Sequence, residues 1–417
     1  MRPLSAVVLA VATLALAIAS GSPAWALKLE KVVLVQRHGV RPPTSSNAEL
    51  AKYAAAPWPA WPVPPGELTA HGEATVRLMG DTLASLYRDQ GLLPASGCPT
   101  PGVVAVWADG TDQRTRRSGE VLAASLAPGC GLKAGWGPPQ PRDPIFGGSG
   151  EAACRVDGAA GRDAILRAAG PSGPETPASR AALARLQSVL APRACAGGAG
   201  TCFAGVDTVA AGPSGPRAEG PMFTASSLAE DLLLEYAEGM PAAGVGWGKT
   251  ASAEKIAAVM AVHERSAELT RRNPYIAARV GAVMARRILD ALEGDGATRI
   301  LAYAGHDANL SLMAGLFDLD WTLPGEPDAT APATTLAFEL WSDDGALFVR
   351  PVIYWETLDQ LRTLKPARAR SVPQRFAGCA SGPLGSCRLS TLRRRVESLI
   401  PAGCREKAVP VASASTP

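Results

Sequence analysis

A short apolar run followed at once by a basic loop is the feature that most constrains this chain. The run at 32–35 (VVLV) predicts a buried strand, and the glycine and prolines of the stretch 36–43 (QRHGVRPP) end it. In open α/β sheets, ligands bind at that end of a strand. Arg37 and Arg41 suit the oxygens of a phosphate, and His38 between them can act as a nucleophile. The alternative is a basic surface loop, which usually carries lysine and scattered charge.

The N-terminal residues predict export. Arg2 precedes an apolar run at 6–19 that only Thr13 interrupts, and the A-x-A sequence 24–26 follows. A basic start, a short apolar core and such a site are typical of a secretory signal peptide. The run is too short for a comfortable membrane span. We expect cleavage near Ala26 and a periplasmic or secreted protein without membrane association.

Charge and cysteine content narrow the class of protein further. The formal net charge is only +3, so no global basic field argues for nucleic-acid binding. The eight cysteines form an even set, which in an exported chain predicts four disulfides. Short spacing favours Cys195–Cys202 and Cys379–Cys387, and it leaves the other pairings open. A metal site is disfavoured because there is no C-x-x-C pair and the histidines lie far from the cysteines in the sequence.

Sequence patterns predict an α/β chain with a helical insertion. Strands are predicted at 28–36, 103–107 and 299–304, and a hairpin of 336–341 with 346–354 is placed at a sheet edge. Helices are predicted at 73–90, after the cluster 108–115 through Leu126, at 163–169, 178–190, 225–238 and 252–271, and from Pro274 to Gly294. No strand pattern occurs between 154 and 272, where 197–220 is the longest expected loop.

These patterns give a domain organisation. We expect a signal peptide at 1–26, a discontinuous α/β catalytic domain at 27–154 and 271–404, a helical cap domain at 155–270 and a disordered tail at 405–417. The tail is assigned on composition, because its residues are small and polar.

Charged residues follow three of the predicted strands. Their ends present the basic loop with Arg37, His38 and Arg41, then Arg114, then His306 with Asp307. A parallel sheet would bring these groups to one rim. There His38 would attack phosphorus, the three arginines and His306 would clamp the phosphate, and Asp307 would protonate the leaving oxygen and later assist a water.

Other candidate sites carry weaker signals. His71, just before a helix, and His263, in the helical region, are more consistent with structural roles than with catalysis. The D-x-D at 318–320 lacks the further ligands of a calcium loop. P-loop, G-x-G-x-x-G and G-x-S-x-G motifs are absent from the sequence. We therefore expect no metal and no cofactor.

The pattern R-H-G-x-R-x-P at 37–43, with the distant His306-Asp307, resembles the two-part signature of the histidine acid phosphatases. The segments 58–63 (WPAWPV), 68–72 (LTAHG), 112–116 (DQRTR), 239–241 (GMP) and 321–325 (WTLPG) look like the bacterial periplasmic phytase and acid phosphatase branch. The resemblance implies a phosphoglycerate-mutase-like three-layer α/β sandwich with a mostly parallel central sheet, plus a smaller inserted helical domain.

The resemblance also implies roles for individual residues. His38 matches a phosphorylated nucleophile and Asp307 a proton donor, and the phosphate clamp is matched by Arg37, Arg41, Arg114 and His306. Thr44, Glu230 and His263 fall where that branch lines its substrate cleft. The implied disulfides are Cys98–Cys130, Cys154–Cys404, Cys195–Cys202 and Cys379–Cys387.

Two departures bear on the substrate. Related phytases carry a lysine shortly after the Pro-Thr of the first motif, whereas Ser45 and Ser46 follow Thr44 here, which would weaken the grip on a highly charged inositol phosphate. Ala308 replaces the usual threonine beside Asp307. Catalysis of phosphomonoester hydrolysis is not affected by either departure.

Three alternative functions fit the sequence less well than an acid phosphatase does. A phosphoglycerate-mutase-like phosphotransferase shares the R-H-G loop, but those enzymes are cytosolic and generally take the acid from a glutamate. A non-catalytic anion-binding protein would need neither His38 nor Asp307. A sugar phosphatase specialised for glucose 1-phosphate fits the R-H-G-V-R form less well. The sequence therefore predicts an exported, monomeric acid phosphatase acting on small phosphomonoesters, with phytate (myo-inositol hexakisphosphate) as a candidate substrate.

Overall fold

A computed structural model of the protein describes residues 27–147 and 154–405. The predicted signal peptide lies outside the described residues, as does the predicted tail beyond Arg405. The strands are β1 (Lys28–Arg37), β2 (Val104–Ala108), β3 (Gly135–Trp136), β4 (Thr208–Gly212), β5 (Gly215–Glu219), β6 (Ile300–Gly305), β7 (Thr335–Asp343), β8 (Ala346–Trp355), β9 (Arg370–Pro373) and β10 (Cys387–Arg388).

The helices follow the predicted segments closely in most places. They are α1 (Asn47–Leu50), α2 (Ala70–Asp89), α3 (Gln113–Leu126), α4 (Pro144–Gly147), α5 (Gly158–Ala169), α6 (Pro177–Leu190), α7 (Pro221–Ala237), α8 (Ala253–Thr270), α9 (Pro274–Val280), α10 (Ala282–Glu293), α11 (Asp307–Phe317), α12 (Leu358–Thr363) and α13 (Leu389–Leu399). Within the two described ranges, none of the helices has the length and apolar character needed to span a membrane.

An eight-stranded mixed sheet forms the centre of the molecule. Its order is β10-β8-β7-β1-β6-β2-β3, and β9 pairs with β8 off this path. Strands β1, β2, β3, β6 and β8 run in one direction, whereas β7, β9 and β10 run in the other. The strand predicted at 28–36 corresponds to β1, which lies inside the sheet between β6 and β7.

Apolar residues on both faces of β1 make the sheet the middle of three layers. Val32 and Leu34 pack in the core that α2 and α3 cover. Val33 and Val35 point to the opposite face and pack in the core formed by α10, α11 and the helices α6 to α8. All four side chains are fully buried, as expected for a strand covered on both faces. The α/β fold class is confirmed.

The helical segment contains a hairpin that the sequence did not reveal. Strands β4 and β5 pair antiparallel within the stretch that was predicted to be a long loop at 197–220. That prediction was wrong because the two strands are short and carry Gly212, Gly215 and Pro216, which are typical of loops. An edge strand tolerates such a proline. Helices α6, α7 and α8 pack on one another, and α5 packs on the hairpin.

Two further predictions need correction. The single helix predicted from Pro274 is interrupted at Gly281, a residue of low helix propensity where an added Cβ would lie 2.9 Å from Met313 Cε. The hairpin β7–β8 closes, as predicted, through Asp344 and Gly345, which both have positive φ. It does not lie at the sheet edge, however, because β7 pairs with β1 and β8 carries β9 and β10.

Four disulfides join all eight cysteines. The pairs are Cys98–Cys130, Cys154–Cys404, Cys195–Cys202 and Cys379–Cys387, the same four that the resemblance implies. The Cys154–Cys404 pair spans 250 residues and so closes a very long loop of the unfolded chain. This cysteine usage is that of an exported protein.

Candidate active site

The C-terminal ends of three parallel strands meet at one rim of the sheet. Arg37 of β1 is in register with Gly305 of β6, and Ala304 of β6 is in register with Ala108 of β2. Beyond these ends, the backbone N–H of His38 donates to the Gly305 carbonyl at 2.9 Å. The structure therefore brings the basic loop, the residues after β2 and the His306-Asp307 pair together.

The imidazole of His38 is buried and held in one tautomer. Its Nδ1 lies 2.8 Å from the carbonyl oxygen of Gly39, which can only accept, so Nδ1 carries the proton and Nε2 the lone pair. Burial and the positive charges of Arg41, Arg37 and Arg114 hold the pKa of His38 well below its usual value. The imidazole is therefore neutral under acid conditions.

A close backbone contact explains the glycine after His38. A Cβ added to Gly39 would lie 2.1 Å from the carbonyl oxygen of Gly72, at the start of α2. A Cβ added to Gly72 would meet the Val40 carbonyl oxygen at the same distance. The two glycines let the basic loop lie directly against the first turn of α2, which fixes the loop's position.

Arg37 is completely buried among acceptors. Its Nη1 donates to Asp328 at 2.8 Å and to the Thr330 carbonyl at 2.6 Å, and its Nη2 pairs with Glu230. Although burial lowers the pKa of a guanidinium, the two carboxylates raise that of Arg37 above its ordinary value. Arg37 is thus a fixed positive charge beside His38.

Arg41 and Arg114 complete an arginine cluster around His38. Arg41 donates from Nη1 to the Pro42 carbonyl at 2.9 Å and pairs through Nη2 with Glu230 at 3.4 Å. Arg114 donates from Nη1 to the Gly66 carbonyl at 3.2 Å and from Nη2 to Asp112 at 3.0 Å. Terminal nitrogens of both guanidinium groups are therefore engaged by the protein.

The Nε atom of each guanidinium in the cluster, unlike the two terminal nitrogens, has no partner among the described residues. In the described parts of the chain, the buried Nε–H groups of Arg37, Arg41 and Arg114 have no hydrogen-bond acceptor. A buried donor without a partner costs roughly 1–3 kcal/mol. Three guanidinium groups that each keep one donor without an acceptor, and whose charges act on His38, suit a phosphate, an anion that accepts several hydrogen bonds.

His306 is tied to a carboxylate at the end of β2. Its Nε2 lies 2.8 Å from Asp109, which also accepts two hydrogen bonds from Arg142. Burial raises the pKa of Asp109, but the hydrogen bonds from His306, Thr111 and Arg142 lower it well below the usual range. Asp109 therefore stays ionised and orients the imidazole of His306, whose ring centroid lies 5.7 Å from that of His38.

The predicted proton donor Asp307 is ion-paired. Its Oδ2 accepts from Nη1 of Arg271, the residue directly after α8. Burial raises the pKa of Asp307, but Arg271, Arg37 and His263 together hold it well below its ordinary value. Asp307 is therefore a carboxylate in the unliganded protein.

The three predicted cleft residues have different environments. Glu230 bridges Arg37 and Arg41, which outweigh the effect of burial and hold its pKa at about 2. His263 is buried, with Nδ1 3.1 Å from the Ser226 carbonyl and with no partner for Nε2 among the described residues. Thr44 is exposed. Glu230 thus belongs to the arginine cluster, whereas Thr44 lies at the surface.

Four residues of the site were not predicted. Asp109 lies directly after a predicted strand, so its position at the rim could have been found from the sequence. Asp328, Arg142 and Arg271 lie in loops or at a helix end, and no local pattern connects them to His38. They reach the site only through tertiary packing.

One group of side chains has the spacing of metal ligands. Ligand atoms of Asp109, Asp112 and His306 lie within 4.8 Å of one another. Ion pairs of Asp109 with Arg142 and of Asp112 with Arg114 already balance this cluster. Its geometry is therefore accounted for by contacts within the protein.

Comparison with known proteins agrees with this arrangement. Residues 28–192 match the family described as the histidine phosphatase superfamily, branch 2. The phytase AppA of Escherichia coli strain K12 is 33% identical in sequence, and the match covers 90% of this chain and 93% of that protein. This chain belongs to branch 2 of the histidine phosphatase superfamily. As a branch 2 histidine phosphatase it is a phosphomonoesterase.

Other branch 2 histidine phosphatases are similar along nearly the whole chain. The structure of Hafnia alvei phytase in complex with myo-inositol hexakis sulphate superposes with a TM-score of 0.83 at 35% identity, covering 92% of this chain and 99% of that one. A glucose-1-phosphatase of Salmonella typhimurium is 26% identical over 87% of this chain and 90% of its own length. This histidine phosphatase therefore has relatives named for two different substrates.

Proposed function

We propose that this histidine phosphatase hydrolyses phosphomonoesters at acid pH through a phosphohistidine on His38 Nε2, and that phytate is among its substrates. The observation that carries the proposal is the cluster of Arg37, Arg41 and Arg114, whose three buried Nε–H donors lack acceptors within the described residues. The charges of the same three arginines act on a neutral imidazole whose lone pair is on Nε2.

In the first step, the lone pair of His38 Nε2 attacks phosphorus and the P–O bond to the leaving group breaks. The arginine cluster and His306 stabilise the charge on the three non-bridging oxygens. A proton passes from the carboxyl group of Asp307 to the departing alkoxide oxygen, so an alcohol leaves and a P–N bond remains.

The proton on Asp307 must arrive with the substrate. The ionic contact with Arg271 keeps Asp307 deprotonated in the free protein. A phosphomonoester has a second pKa of about 6, so below that pH it enters as a monoanion with one proton. The arginines favour the dianion, and the released proton is taken up by Asp307. Activity should therefore fall as the pH rises past about 6.

In the second step, water replaces the alcohol. The Asp307 carboxylate takes a proton from the water as its oxygen attacks phosphorus, and the P–N bond breaks. The electron pair returns to His38 Nε2, and inorganic phosphate leaves. Asp109, through its hydrogen bond with His306, keeps the imidazole of His306 oriented in both steps.

We further propose that residues 155–270 act as a cap over the α/β domain formed by 27–154 and 271–404. Helix α7 contributes Glu230 and helix α8 contributes His263, while Arg271 follows α8 directly. The similarity to phytases and the disulfides support a periplasmic enzyme acting on small phosphate esters. We expect a monomer.

The test is phosphate release from phytate, glucose 1-phosphate and p-nitrophenyl phosphate at about pH 4.5, in the presence of chelator. Wild type is compared with His38→Ala and with His71→Ala, a control whose imidazole binds the Leu361 carbonyl away from the cluster. We expect His38→Ala to lose at least about 10⁴-fold in kcat and His71→Ala to remain active.

Each outcome is informative. Activity that survives His38→Ala would disprove the phosphohistidine mechanism. Activity confined to glucose 1-phosphate or to p-nitrophenyl phosphate would reject phytate as a substrate and leave the phosphatase mechanism intact. Trapping labelled phosphate on wild type but not on His38→Ala, after an alkaline quench that preserves the P–N bond, would support the intermediate directly.

A further inference from the structure

Arg271 differs from the other arginines near His38. Arg37 and Arg41 are buried and share the Glu230 carboxylate, whereas Arg271 has 37% of its side chain exposed. The only hydrogen-bond partner of its guanidinium within the described residues is Asp307. Arg271 is therefore the one guanidinium of this group that combines access to solvent with a direct contact to the proposed proton donor.

This contact conflicts with the chemistry that Asp307 must perform. A general acid needs a proton on the carboxyl oxygen that faces the ester, but an oxygen that accepts from a guanidinium is held as the anion. Asp307 can protonate a leaving group only after its bond to Arg271 has weakened. Something in the substrate complex must therefore compete for Arg271.

The position of Arg271 indicates what can compete. Asp307 must lie within hydrogen-bond reach of the ester oxygen, and Arg271 is bonded to the same carboxylate. The guanidinium therefore lies on the leaving-group side, one carboxyl group away from the ester oxygen. In a substrate with several phosphates, a neighbouring phosphate would lie on this side, and a bidentate arginine–phosphate contact is stronger than an exposed arginine–carboxylate pair.

We propose that Arg271 is a specificity-determining residue that selects esters with a second phosphate next to the scissile one. On binding, Arg271 exchanges Asp307 for that phosphate, which both holds the substrate and frees Asp307 to carry a proton. With a simple monoester no second anion competes for Arg271, so Arg271 leaves Asp307 less often and acid catalysis is less effective. The proposal deepens the proposed function and rests on the roles given there to His38 and Asp307.

The neighbouring residue provides a matched control. Arg272 has the same charge and is one position further along the chain, but it pairs with Asp320 at 2.8 Å and lies over the ring of Trp321 at 5.6 Å. It makes no hydrogen bond to Asp307 in the described structure. Arg272→Gln therefore removes the same net charge without removing the proposed second phosphate contact.

The experiment uses two inhibitors of p-nitrophenyl phosphate hydrolysis. Inorganic phosphate occupies the scissile-phosphate site alone, whereas myo-inositol hexakissulfate, which is not hydrolysed, also presents neighbouring anions. In Arg271→Gln we expect the Ki of the hexakissulfate to rise about tenfold relative to the Ki of phosphate, the effect of losing one charged contact. The selectivity is the Ki of phosphate divided by the Ki of the hexakissulfate. On a logarithmic scale, Arg271→Lys should keep more than half of this selectivity, and Arg272→Gln should retain all of it.

A pH profile separates this role from a merely structural one. Removing the Arg271 charge raises the pKa of Asp307, which can then hold a proton that the substrate did not bring. The upper limb of kcat/KM for glucose 1-phosphate, whose alkoxide must be protonated, should therefore move to higher pH in Arg271→Gln. In Arg272→Gln the limb should stay in place. A shift of this limb together with the change in the Ki ratio would support the exchange of Arg271 between Asp307 and a phosphate.

The proposal would be overturned if the Ki ratio of Arg271→Gln equals that of wild type, or if Arg272→Gln changes it as much. The Ki ratio does not depend on phytate turnover. If wild type releases no phosphate from phytate but shows an Arg271-dependent ratio, the proposed substrate is wrong and this inference stands. If phytate is hydrolysed and the ratio does not depend on Arg271, the proposed substrate is right and this inference is wrong.

Discussion

A buried carboxyl group on α7 makes the stability of the protein depend on pH in a way that can be worked out. Glu235 has no exposed surface, its Oε2 accepts the Gly246 N–H at 2.8 Å, and its Oε1 has no partner among the described residues. Burial, opposed by this hydrogen bond and assisted by Asp231, raises the pKa of Glu235 from 4.5 to about 8. The carboxyl group is therefore protonated in the folded protein at neutral pH.

The sign follows from proton binding in the two states. Between the ordinary pKa of 4.5 and the raised value of about 8, the unfolded chain has released this proton and the folded protein retains it. Stability therefore falls as the pH rises through this window, by about 1.4 kcal/mol per pH unit. From pH 4.5 to pH 7, Glu235 should cost the folded state about 3 kcal/mol.

Glu235→Gln tests this directly. Its side-chain oxygen can still accept the Gly246 N–H, and the amide does not titrate, so the contribution of residue 235 no longer changes with pH. For a chain of this size, about 3 kcal/mol corresponds to about 4 °C in Tm. We expect the Tm difference between variant and wild type to grow by that amount between about pH 4.5 and about pH 7.

The control is Glu219→Gln, which removes an exposed carboxylate in a weak surface pair with Arg217. Its Tm should follow that of wild type at both pH values. If Glu235→Gln also runs parallel to wild type across this range, the carboxyl group is not the buried neutral acid described here, and the reasoning is refuted.

Two further predictions concern the site. Asp307→Asn removes the proton donor, so kcat for glucose 1-phosphate should fall about 10²–10⁴-fold. The kcat for p-nitrophenyl phosphate should fall far less, because nitrophenolate leaves without protonation. Equal losses in stopped assays of both substrates would argue against acid catalysis by Asp307. Gly39→Ala forces the loop away from the Gly72 carbonyl and should cost about 3 kcal/mol in urea unfolding. Gly296→Ala, where an added Cβ meets nothing within 4 Å, serves as its control, and an equal midpoint for the two variants would contradict the packing argument.

The strands that carry the site could be predicted because burial on both faces leaves a continuous apolar run. β1, β2 and β6 each end where such a run meets glycine or charge, so their ends were located to within one residue. The β4–β5 hairpin was missed because its strands are only five residues long and combine glycine and proline with small residues. At Gly281 a side chain would meet Met313 Cε at 2.9 Å, a tertiary contact that a helical sequence pattern does not reveal.

The residues of the site also divide into those that follow from local sequence patterns and those that depend on tertiary packing. His38, Arg114 and His306 follow strands, so the topology of a parallel sheet was enough to place them together. Asp328 and Arg271 were not predicted, because their contacts depend on how the segment before β7 and the end of α8 pack over the rim. Sequence patterns therefore located the groups that would hold phosphate, and tertiary packing supplied the groups that neutralise them.

Those neutralising groups bear on the proposed acid preference. Glu230 bridges two of the arginines, and with a pKa of about 2 it remains ionised throughout the acid range. Asp307 and Asp109 are also held as anions. These three carboxylates therefore stay ionised in the acid range, and they cannot by themselves produce a fall in rate as the pH rises. The substrate can, because a monoanionic phosphate is repelled less by Glu230 than a dianion and brings the proton that Asp307 lacks. The acid preference of this enzyme should accordingly follow the second pKa of each ester rather than a fixed value of the protein.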